Sequence, residues 1–346
     1  MPHMGGIALL YKDMMFHNIE ELEKKENISG LFLQRFPHAV REKLYSHARL
    51  IATQSVGCEI RFVNEDKNEL RLAIGVWGQG DVAIFKGDYL YETIHFEGSK
   101  DHIMLLAEPE RFKDVAFETL NSKQSSFSSN VWRICFGRLN GIFYGLENFG
   151  FDVRPPRADE VPKKKWLAYG SSITQGMKSS SYWNSYIAQT AQRLQVDVCN
   201  KGMGGSCFIE PEMADYIAEG IEWDFATLEL GVNVRSEYTP DEFEKKVRYM
   251  TKKLLETAKP FAFITIYPNR HTYFVNSVCS ISVNERAFNN ILARVAKEYN
   301  IPLINGESIL DDFSYLSADL IHPSDFGHMK MAENLETVLR TIIEWD

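Results

Sequence analysis

From about residue 165 onward, short apolar runs alternate with longer stretches of helical spacing. The apolar runs are, in chain order, KWLAYG, VDVCNKG, WDFATLELGVN, PFAFITIYP and IPLING. The longest helical stretch between them, TPDEFEKKVRYMTKKLLETA, starts with Thr239 as the expected N-cap and Pro240 at the first helical position. Strands that alternate with helices predict βαβ units and a flavodoxin-like, doubly wound parallel sheet. Ligands of such sheets bind at the edge where the strands end.

The preceding half of the chain has a different pattern, with many short strands and no long helical stretch. The predicted strands are ARLIATQS, CEIRFV, ELRLAIGVW, DVAIF, YETIHFEG, HIMLLA and VWRICFGRL. Several of them alternate polar with apolar residues, as half-buried strands do, so this half predicts an all-β sandwich or jelly roll. Before these strands, NIEELEKK at residues 18–25 predicts a short helix.

Between the two halves lies DVRPPRADEVPKKK, residues 152–165, which is rich in charge and contains three prolines. Proline removes a backbone donor and restricts the residue before it, so this segment predicts a linker. We therefore expect an N-terminal β-sandwich domain at residues 1–155 and a second domain at residues 156–346.

Charge and cysteine content exclude several classes of protein. The net charge of −9 argues against a nucleic-acid-binding protein, which usually has a basic face. The five cysteines are scattered, and no pair has the spacing of a metal site, so we expect reduced thiols and no bound metal. No run approaches the roughly 20 apolar residues of a membrane span, and the N-terminus does not resemble an export signal. The sequence thus predicts a cytoplasmic protein with no membrane partner.

The stretch GSSITQG at residues 170–176 follows the first strand of the second half. It fails as a phosphate loop, because Met177 stands between Gly176 and Lys178 and shifts the lysine from its required position. GMGGSC, after the next strand, lacks the third glycine of a dinucleotide-binding turn. Taken alone, GSSITQG is equally compatible with a plain strand-to-helix turn in which a serine or threonine caps the helix.

Other strand ends and the last loop of this half carry polar side chains as well. Asn233 follows the third strand, and Asp319 and His322 lie in the last loop. Separately, each has an ordinary structural explanation: a turn amide, a capping carboxylate and a buried imidazole. Together with a serine they form the set that acyl transfer needs, namely a nucleophile, a base, an acid that orients the base, and oxyanion donors. The residues alone do not decide between Ser171 and Ser172 as the nucleophile.

Four blocks, GSSITQG, NKGMGGS, LGVN and DLIHP, resemble in order and spacing those of the SGNH hydrolases, also called GDSL esterases. The resemblance covers residues 165–346 and implies that Ser172 is the nucleophile, His322 the base and Asp319 the acid that orients it. It also implies an oxyanion hole made of the backbone N–H groups of Ser172 and Gly205 and the side chain of Asn233.

Two polar residues lie close to the predicted catalytic residues in the sequence without being part of that set. Ser171 replaces the aspartate that usually precedes the nucleophile in this family, which leaves the catalytic set intact but changes local hydrogen bonding. His328 is a second histidine close to the DLIHP block, and we expect it to be a structural residue of the last helix.

The N-terminal half, with KGDYLYETIHF at residues 86–96, looks like the β-sandwich that precedes the hydrolase domain in two-domain carbohydrate esterases. Its aromatic residues Trp77, Tyr89 and Tyr91 are compatible with a sugar-stacking face, although strand aromatics more often form core or cross-strand contacts.

These features predict a serine esterase that needs neither cofactor nor metal. The expected reaction removes a short acyl group, with acetyl as the predicted group, from a sugar or another small alcohol. Two alternatives remain: an acyltransferase that uses the same catalytic set, and a carbohydrate-binding protein without activity. A nucleotide-binding protein is disfavoured by the failed phosphate-loop spacing.

Overall fold

The structure, a computed structural model, describes residues 9–274 and 279–343. The described part of the N-terminal half contains two antiparallel sheets. In chain order the strands of this half are β1 (Leu9–Tyr11), β2 (Met14–His17), β3 (Glu21–Lys24), β4 (Leu31–Gln34), β5 (Glu59–Asn64), β6 (Leu70–Trp77), β7 (Gly80–Lys86), β8 (Tyr89–Phe96), β9 (Lys100–Leu106), β10 (Val131–Phe136), β11 (Asn140–Glu147) and β12 (Val153–Arg154). One sheet has the order β1-β2-β5-β10-β7-β8, with β12 also paired to β5, and the other has the order β3-β4-β11-β6-β9.

The core of this half lies between the two sheets, as the alternation of the strands predicts. In β6, Leu70, Leu72 and Ile74 point inward and are fully buried, whereas Arg71 is exposed. They belong to one apolar cluster with residues of the facing sheet such as Ile60. Because both faces of this core come from antiparallel sheets, the predicted all-β sandwich is confirmed.

Short helices accompany the sandwich, and one of them corrects the sequence interpretation. They are α1 (His38–Arg41), α2 (Ser46–Ala52), α3 (Phe117–Leu120) and a 3₁₀ turn at Glu110–Asp114. The prediction of a strand over residues 48–55 is wrong, because most of this segment lies in α2. Ala48 and Ala52, one helical turn apart, are buried against the core of the second half of the chain. That contact decides in favour of the helix, and it is not visible in a short apolar run.

The prediction of a short helix over residues 18–25 is also wrong. The segment contains β3, which pairs with β4 so that Leu22 faces Leu33. Strand geometry places Glu21 and Glu23 on the same face, and both lie 3.3 Å from the guanidinium of the buried Arg41. Strand pairing and this ion pair outweigh the intrinsic preference of the Glu/Lys-rich segment for a helix.

The C-terminal half is built on a parallel sheet of five strands in the order β14-β13-β15-β16-β17. The strands are β13 (Lys165–Gly170), β14 (Asp197–Gly202), β15 (Phe225–Glu229), β16 (Phe261–Ile264) and β17 (Leu303–Ile304). The helices are α4 (Ser172–Gln175), α5 (Tyr186–Leu194), α6 (Pro211–Asp215), α7 (Pro240–Leu255), α8 (Ser280–Tyr299), α9 (Gly306–Ile309) and α10 (Asp325–Ile342), with 3₁₀ turns at Tyr182–Asn184 and Phe313–Tyr315 and a π turn at Tyr216–Gly220. This strand order is that of a flavodoxin-like doubly wound sheet, which confirms the predicted fold class.

Helices cover both faces of the parallel sheet. On one face, α7 and α8 meet through stacked rings of Phe243 and Phe288 with centroids 4.1 Å apart. On the other face, α5 and α10 pack together, with Ile187 and Leu335 in the same buried cluster. The first face is completed by residues of the N-terminal half, including Phe36, so the two halves share a core.

The proline-rich segment between the halves is anchored rather than free. Val153–Arg154 forms β12 against β5, and Arg154 donates two hydrogen bonds to Glu160 at 2.6 and 2.8 Å. Glu160 is buried and also accepts a hydrogen bond from the backbone N–H of Arg157 at 2.7 Å. The division at residues 155 and 156 stays a proposal.

Candidate active site

The carboxyl edge of the parallel sheet gathers the polar residues that the sequence singles out. β13 and β14 end at Gly170 and Gly202, so the segments with Ser172 and Gly205 begin side by side. β15, on the other side of β13, ends at Glu229, four residues before Asn233. Because the strand order reverses at β13, this position is the switch point at which doubly wound sheets bind ligands.

Ser172 is the first residue of the short helix α4, and its neighbours fix that turn. The Ser171 side chain is the N-cap and accepts a hydrogen bond from the Ile173 N–H at 3.1 Å. A Cβ on Gly170 would lie only 2.3 Å from Thr174 Oγ1, so the strand-to-helix turn requires glycine there. The interpretation of GSSITQG as a capped turn and its interpretation as a nucleophile turn are therefore compatible.

Ser172, His322 and Asp319 form a continuous chain of hydrogen bonds. Ser172 Oγ lies 2.8 Å from His322 Nε2, and His322 Nδ1 lies 2.8 Å from Asp319 Oδ2. An Nδ1–H that donates to the carboxylate leaves Nε2 free to accept the serine proton, which is the tautomer that nucleophile activation needs. The structure thus brings Ser172 next to two residues of the last loop, although Ser172 and His322 are 150 positions apart in the sequence.

The loop that carries Asp319 and His322 is held by its own backbone. The Ser317 N–H donates to the His322 carbonyl at 2.8 Å, and Leu316 forms a β-bridge with Pro323. Asp319 Oδ1 accepts from the N–H groups of Ile321 and His322, both at 2.9 Å. Partial burial favours the neutral acid, but the hydrogen bonds from His322, Ile321 and Ser317 outweigh it and hold the pKa of Asp319 well below its usual range.

Three groups that the sequence predicts as oxyanion donors line the same cavity. Asn233 Oδ1 accepts from the Cys207 N–H at 3.0 Å, which orients the amide and leaves Nδ2 as a donor. Gly205 has φ of +64°, a conformation that favours glycine. Within the described residues, neither the N–H of Gly205 nor that of Ser172 makes a hydrogen bond. These groups are therefore available to a ligand.

Glu229 at the end of β15 is a residue that the sequence interpretation missed. Its Oε2 accepts from the Ser171 N–H at 2.7 Å and from Thr174 Oγ1 at 3.1 Å, so it supports both sides of Ser172. Burial raises the pKa of Glu229 from 4.5 to about 7, against the opposing effect of these hydrogen bonds. The only signal in the sequence is a carboxylate in an otherwise apolar strand, LEL, since a fully buried glutamate needs partners.

His328 lies on α10 and is fully buried, as expected for a structural residue. Its Nδ1 accepts from the Tyr186 N–H at 3.2 Å, and Nε2 lies 3.0 Å from the Met177 carbonyl. Burial lowers the pKa of His328 to about 4, so the ring is neutral near pH 7. It ties α5 and α10 to the segment that follows α4.

The cavity at Ser172 has a volume of about 810 Å³, and both halves of the chain line it. The sandwich contributes Asp81, His95 and Arg138, and α2 contributes His47. His47 Nδ1 lies 2.6 Å from the hydroxyl of Ser206, next to Gly205. Sequence reasoning missed these residues, because nothing in a strand pattern indicates which loop of a sandwich approaches a second domain.

Two further properties of residues 9–274 and 279–343 concern metal ions and membranes. No group of three or more His, Cys, Asp or Glu side chains in these residues has an arrangement suited to a metal ion. None of the helices in the described part of the chain is both long and apolar enough to cross a membrane.

Comparison with known proteins gives one family and several related folds. Residues 163–340, just over half of the chain, match the model of the GDSL-like lipase/acylhydrolase family. No curated protein sequence matches the chain.

Among solved structures, a salicylyl-acyltransferase from a tetracycline biosynthetic pathway is similar over 97% of each chain, with a TM-score of 0.78 and 13% identity. A family two carbohydrate esterase from Clostridium thermocellum, in complex with cellohexaose, is similar over 83% of this chain and 92% of its own, with a TM-score of 0.56 and 13% identity. At these identities the likeness concerns the fold.

Proposed function

The chain belongs to the GDSL-like lipase/acylhydrolase family, and on that premise we propose that it is a serine esterase with Ser172 as its nucleophile. Membership of this family makes the protein a hydrolase of acyl esters. The observation that carries the assignment of residues is the unbroken hydrogen-bond chain Ser172–His322–Asp319, with both donor–acceptor distances at 2.8 Å.

In the proposed mechanism, His322 Nε2 removes the proton of Ser172 as Oγ attacks the ester carbonyl. Asp319 holds the imidazole in the required tautomer and stabilises the imidazolium that forms. The imidazolium then protonates the departing alcohol, which leaves an acyl group on Ser172. A water molecule, deprotonated by His322, releases the acid and restores the serine.

The negative charge on the tetrahedral intermediate needs fixed donors. We assign this role to the N–H groups of Ser172 and Gly205 and to the Asn233 side-chain amide. Support comes from the hydrogen bond that fixes the Asn233 amide and from the unused N–H groups of the other two residues. Loss of one such donor typically costs about 10²- to 10³-fold in kcat.

For the substrate we propose a short acyl ester, acetyl above all, of a sugar or another small alcohol. The cavity wall supports a polar alcohol, because the side chains of Gln54, Asp81, His95 and Arg138 line it. The fold it shares with a carbohydrate esterase is consistent with this choice. The five cysteines are all free thiols, which supports a reducing compartment such as the cytoplasm.

An acyltransferase is the second candidate. It is favoured by the similarity, over nearly the whole chain, to a salicylyl-acyltransferase. Both activities use the same acyl-enzyme, and they differ in whether water or an alcohol accepts the acyl group. Product analysis with acetyl esters in the presence of acceptor alcohols separates them.

The assignment is tested by comparing Ser172→Ala with Ser171→Ala on chromogenic acetyl esters. Ser172→Ala should lower kcat by roughly 10³-fold or more, because the nucleophile is lost. Ser171→Ala should retain most of the activity, since it removes the N-cap of α4 and a side-chain contact to Glu229 but no reacting group. Loss of the cap should cost about 1 kcal/mol in folding free energy.

Labelling of the wild type with a phosphonylating reagent, followed by peptide mass spectrometry, should place the label on Ser172. A label on Ser171 or Ser206 would show that the nucleophile is assigned wrongly. Full activity of a folded Ser172→Ala variant would reject the serine mechanism itself.

A further inference from the structure

Arg138 lies between β10 and β11 of the sandwich, yet it lines the same cavity as Ser172 and His322. Its side chain is half-buried. It reaches the segment after α4, where one guanidinium nitrogen donates to the sulfur of Met177 at 2.7 Å. Met177 is adjacent to the catalytic turn, because its N–H donates to the Ser172 carbonyl at 2.8 Å.

The guanidinium of Arg138 has donors left over. Within the described residues it makes no ion pair, and the Met177 sulfur is a weak acceptor. Asp81 is a nearby carboxylate, but it lies 2.6 Å from His95 Nδ1. Partial burial lowers the pKa of Arg138, and Asp81 opposes this from beyond ion-pair distance.

A second arginine at this cavity shows the contrast. Arg235 is buried and donates to Glu285 at 2.7 Å and to Asn269 at 3.2 Å, so its charge is balanced inside the protein. Among the described residues Arg138 has no carboxylate within ion-pair distance, and Asp81 acts on it only from farther away. An arginine stays charged at all physiological pH values, and partial removal of that charge from water is unfavourable unless an anion compensates it.

Guanidinium groups bind carboxylates and other oxyanions through two parallel hydrogen bonds. We propose that the natural ester carries such an anionic group, a carboxylate or a comparable oxyanion, and that Arg138 binds it and thereby determines specificity. This inference rests on the proposed esterase function, and it assigns to the sandwich a direct role in choosing the substrate.

The test uses two pairs of esters, each with one anionic and one neutral member. 4-Acetoxybenzoate and 4-acetoxybenzamide place the charge in the alcohol part. 4-Nitrophenyl hydrogen succinate and its methyl ester place it in the acyl part. The wild type should prefer the anionic member of one pair by roughly 10-fold or more in kcat/KM, and the pair that shows this preference locates Arg138 relative to the scissile bond.

In Arg138→Gln, kcat/KM for the preferred anionic ester should fall by roughly 10- to 100-fold, the range typical of a hydrogen bond to a charged group. The neutral partner should change by less than about 3-fold, and Arg138→Lys should retain part of the preference as a point charge. Arg111→Gln is the matched control, since Arg111 is fully exposed on the same sandwich, 3.6 Å from Asp114; it should behave as the wild type.

Equal rates for both members of each pair in the wild type would overturn the proposal. So would an equal loss on neutral and anionic esters in Arg138→Gln, or the same loss in Arg111→Gln. Calorimetry with the Ser172→Ala variant separates this proposal from the esterase assignment. Suppose that the wild type cleaves none of the esters, yet Ser172→Ala binds 4-acetoxybenzoate more tightly than its amide. If adding Arg138→Gln abolishes that difference, the anion site is supported and the esterase assignment is wrong.

Discussion

At the scale of single residues, the groups around Ser172 divide into those proposed to react and those that hold the turn. Ser171 replaces the usual aspartate and caps α4, while Glu229 binds the Ser171 N–H from the neighbouring strand. Within the described part of the chain, Glu229 Oε1 is buried and has no hydrogen-bond partner. A carboxyl in such a site favours its neutral form, so we expect Glu229 to be mostly neutral below about pH 7 and to position the turn that carries Ser172.

Glu229 predicts a pH dependence of stability with a definite sign. Its pKa is raised from 4.5 in the unfolded chain to about 7 in the folded one. Between these values the folded protein retains a proton that the unfolded chain has lost, so its contribution to stability is complete below pH 4.5 and is lost as the pH rises through about 7. Glu229→Gln removes this titration. Its unfolding free energy relative to the wild type should rise by about 3 kcal/mol between about pH 4.5 and about pH 8, measured by urea denaturation.

Glu229→Ala is the control for this experiment. It removes the acceptor for Ser171 and leaves a cavity, so it should destabilise the protein at every pH. A constant difference between Glu229→Gln and the wild type across the pH range would show that Glu229 is ionised in the folded protein at neutral pH.

At the scale of elements, α7 shows how local sequence fixes a helix start. Thr239 accepts from the Glu242 N–H at 3.3 Å, and the Glu242 carboxylate accepts from the Thr239 N–H at 2.8 Å. Pro240 occupies the first helical position, where no backbone donor is required. This reciprocal pair is a capping box, and it confirms the helix start that the sequence predicts.

Thr239→Ala should therefore lower the unfolding free energy by about 1 kcal/mol, because the N-cap acceptor is lost. The urea midpoint at constant slope measures the change. Thr337→Ala is the matched control, since Thr337 is an exposed residue in the interior of α10 and alanine has the higher helix propensity there. Equal destabilisation by both substitutions would show that the cap makes no special contribution.

Short elements that lack such local signals have no clear structural preference in their sequence. α7 carries its own cap and a long amphipathic pattern, whereas α2 and β3 have only a few residues each. In short segments the apolar spacing fits a strand and a helix about equally well, and the partner decides. For α2 the partner is the core of the second half, and for β3 it is β4.

At the scale of the whole molecule, a buried ion cluster joins the sandwich to the parallel sheet. Arg61 of β5 donates to both oxygens of Asp197 in β14 at 2.7 and 2.8 Å, and to Glu59 at 2.7 Å. His17 adds a contact to Asp197 at 3.2 Å. Burial favours the neutral acid, but Arg61 and His17 outweigh it, and the pKa of Asp197 is lowered.

Asp197→Asn should therefore destabilise the whole protein by about 3–5 kcal/mol, because it leaves the buried Arg61 with part of its charge uncompensated. Chemical denaturation followed by intrinsic fluorescence measures the loss. Asp215→Asn is the control: Asp215 pairs with Lys253 at 3.3 Å on the surface, and loss of that pair should cost at most about 1 kcal/mol. If Asp197→Asn lowers the unfolding free energy no more than Asp215→Asn does, the ion cluster contributes little to holding the two halves together.

The sequence alone predicts the parallel sheet, the sandwich and the order of the polar residues at the sheet edge. Each depends on periodicity or on short motifs, and these are local properties of the chain. The same motifs indicate Ser172, Asp319 and His322, although the choice of Ser172 over Ser171 depends on resemblance to a family. The catalytic roles stay predictions until the variants are measured.

Which residues surround Ser172, Asp319 and His322 depends on the packing of the folded chain. Arg138 and Glu229 approach Ser172 from a sandwich loop and from the neighbouring strand, and α2 completes the core of the other half. These contacts arise from packing between segments far apart in the chain, so the spacing of apolar residues in the sequence does not predict them. A guanidinium with no carboxylate in ion-pair contact, or a glutamate buried beside the turn of Ser172, is recognised only when the surroundings of each charge are known, because burial and partners determine its free energy.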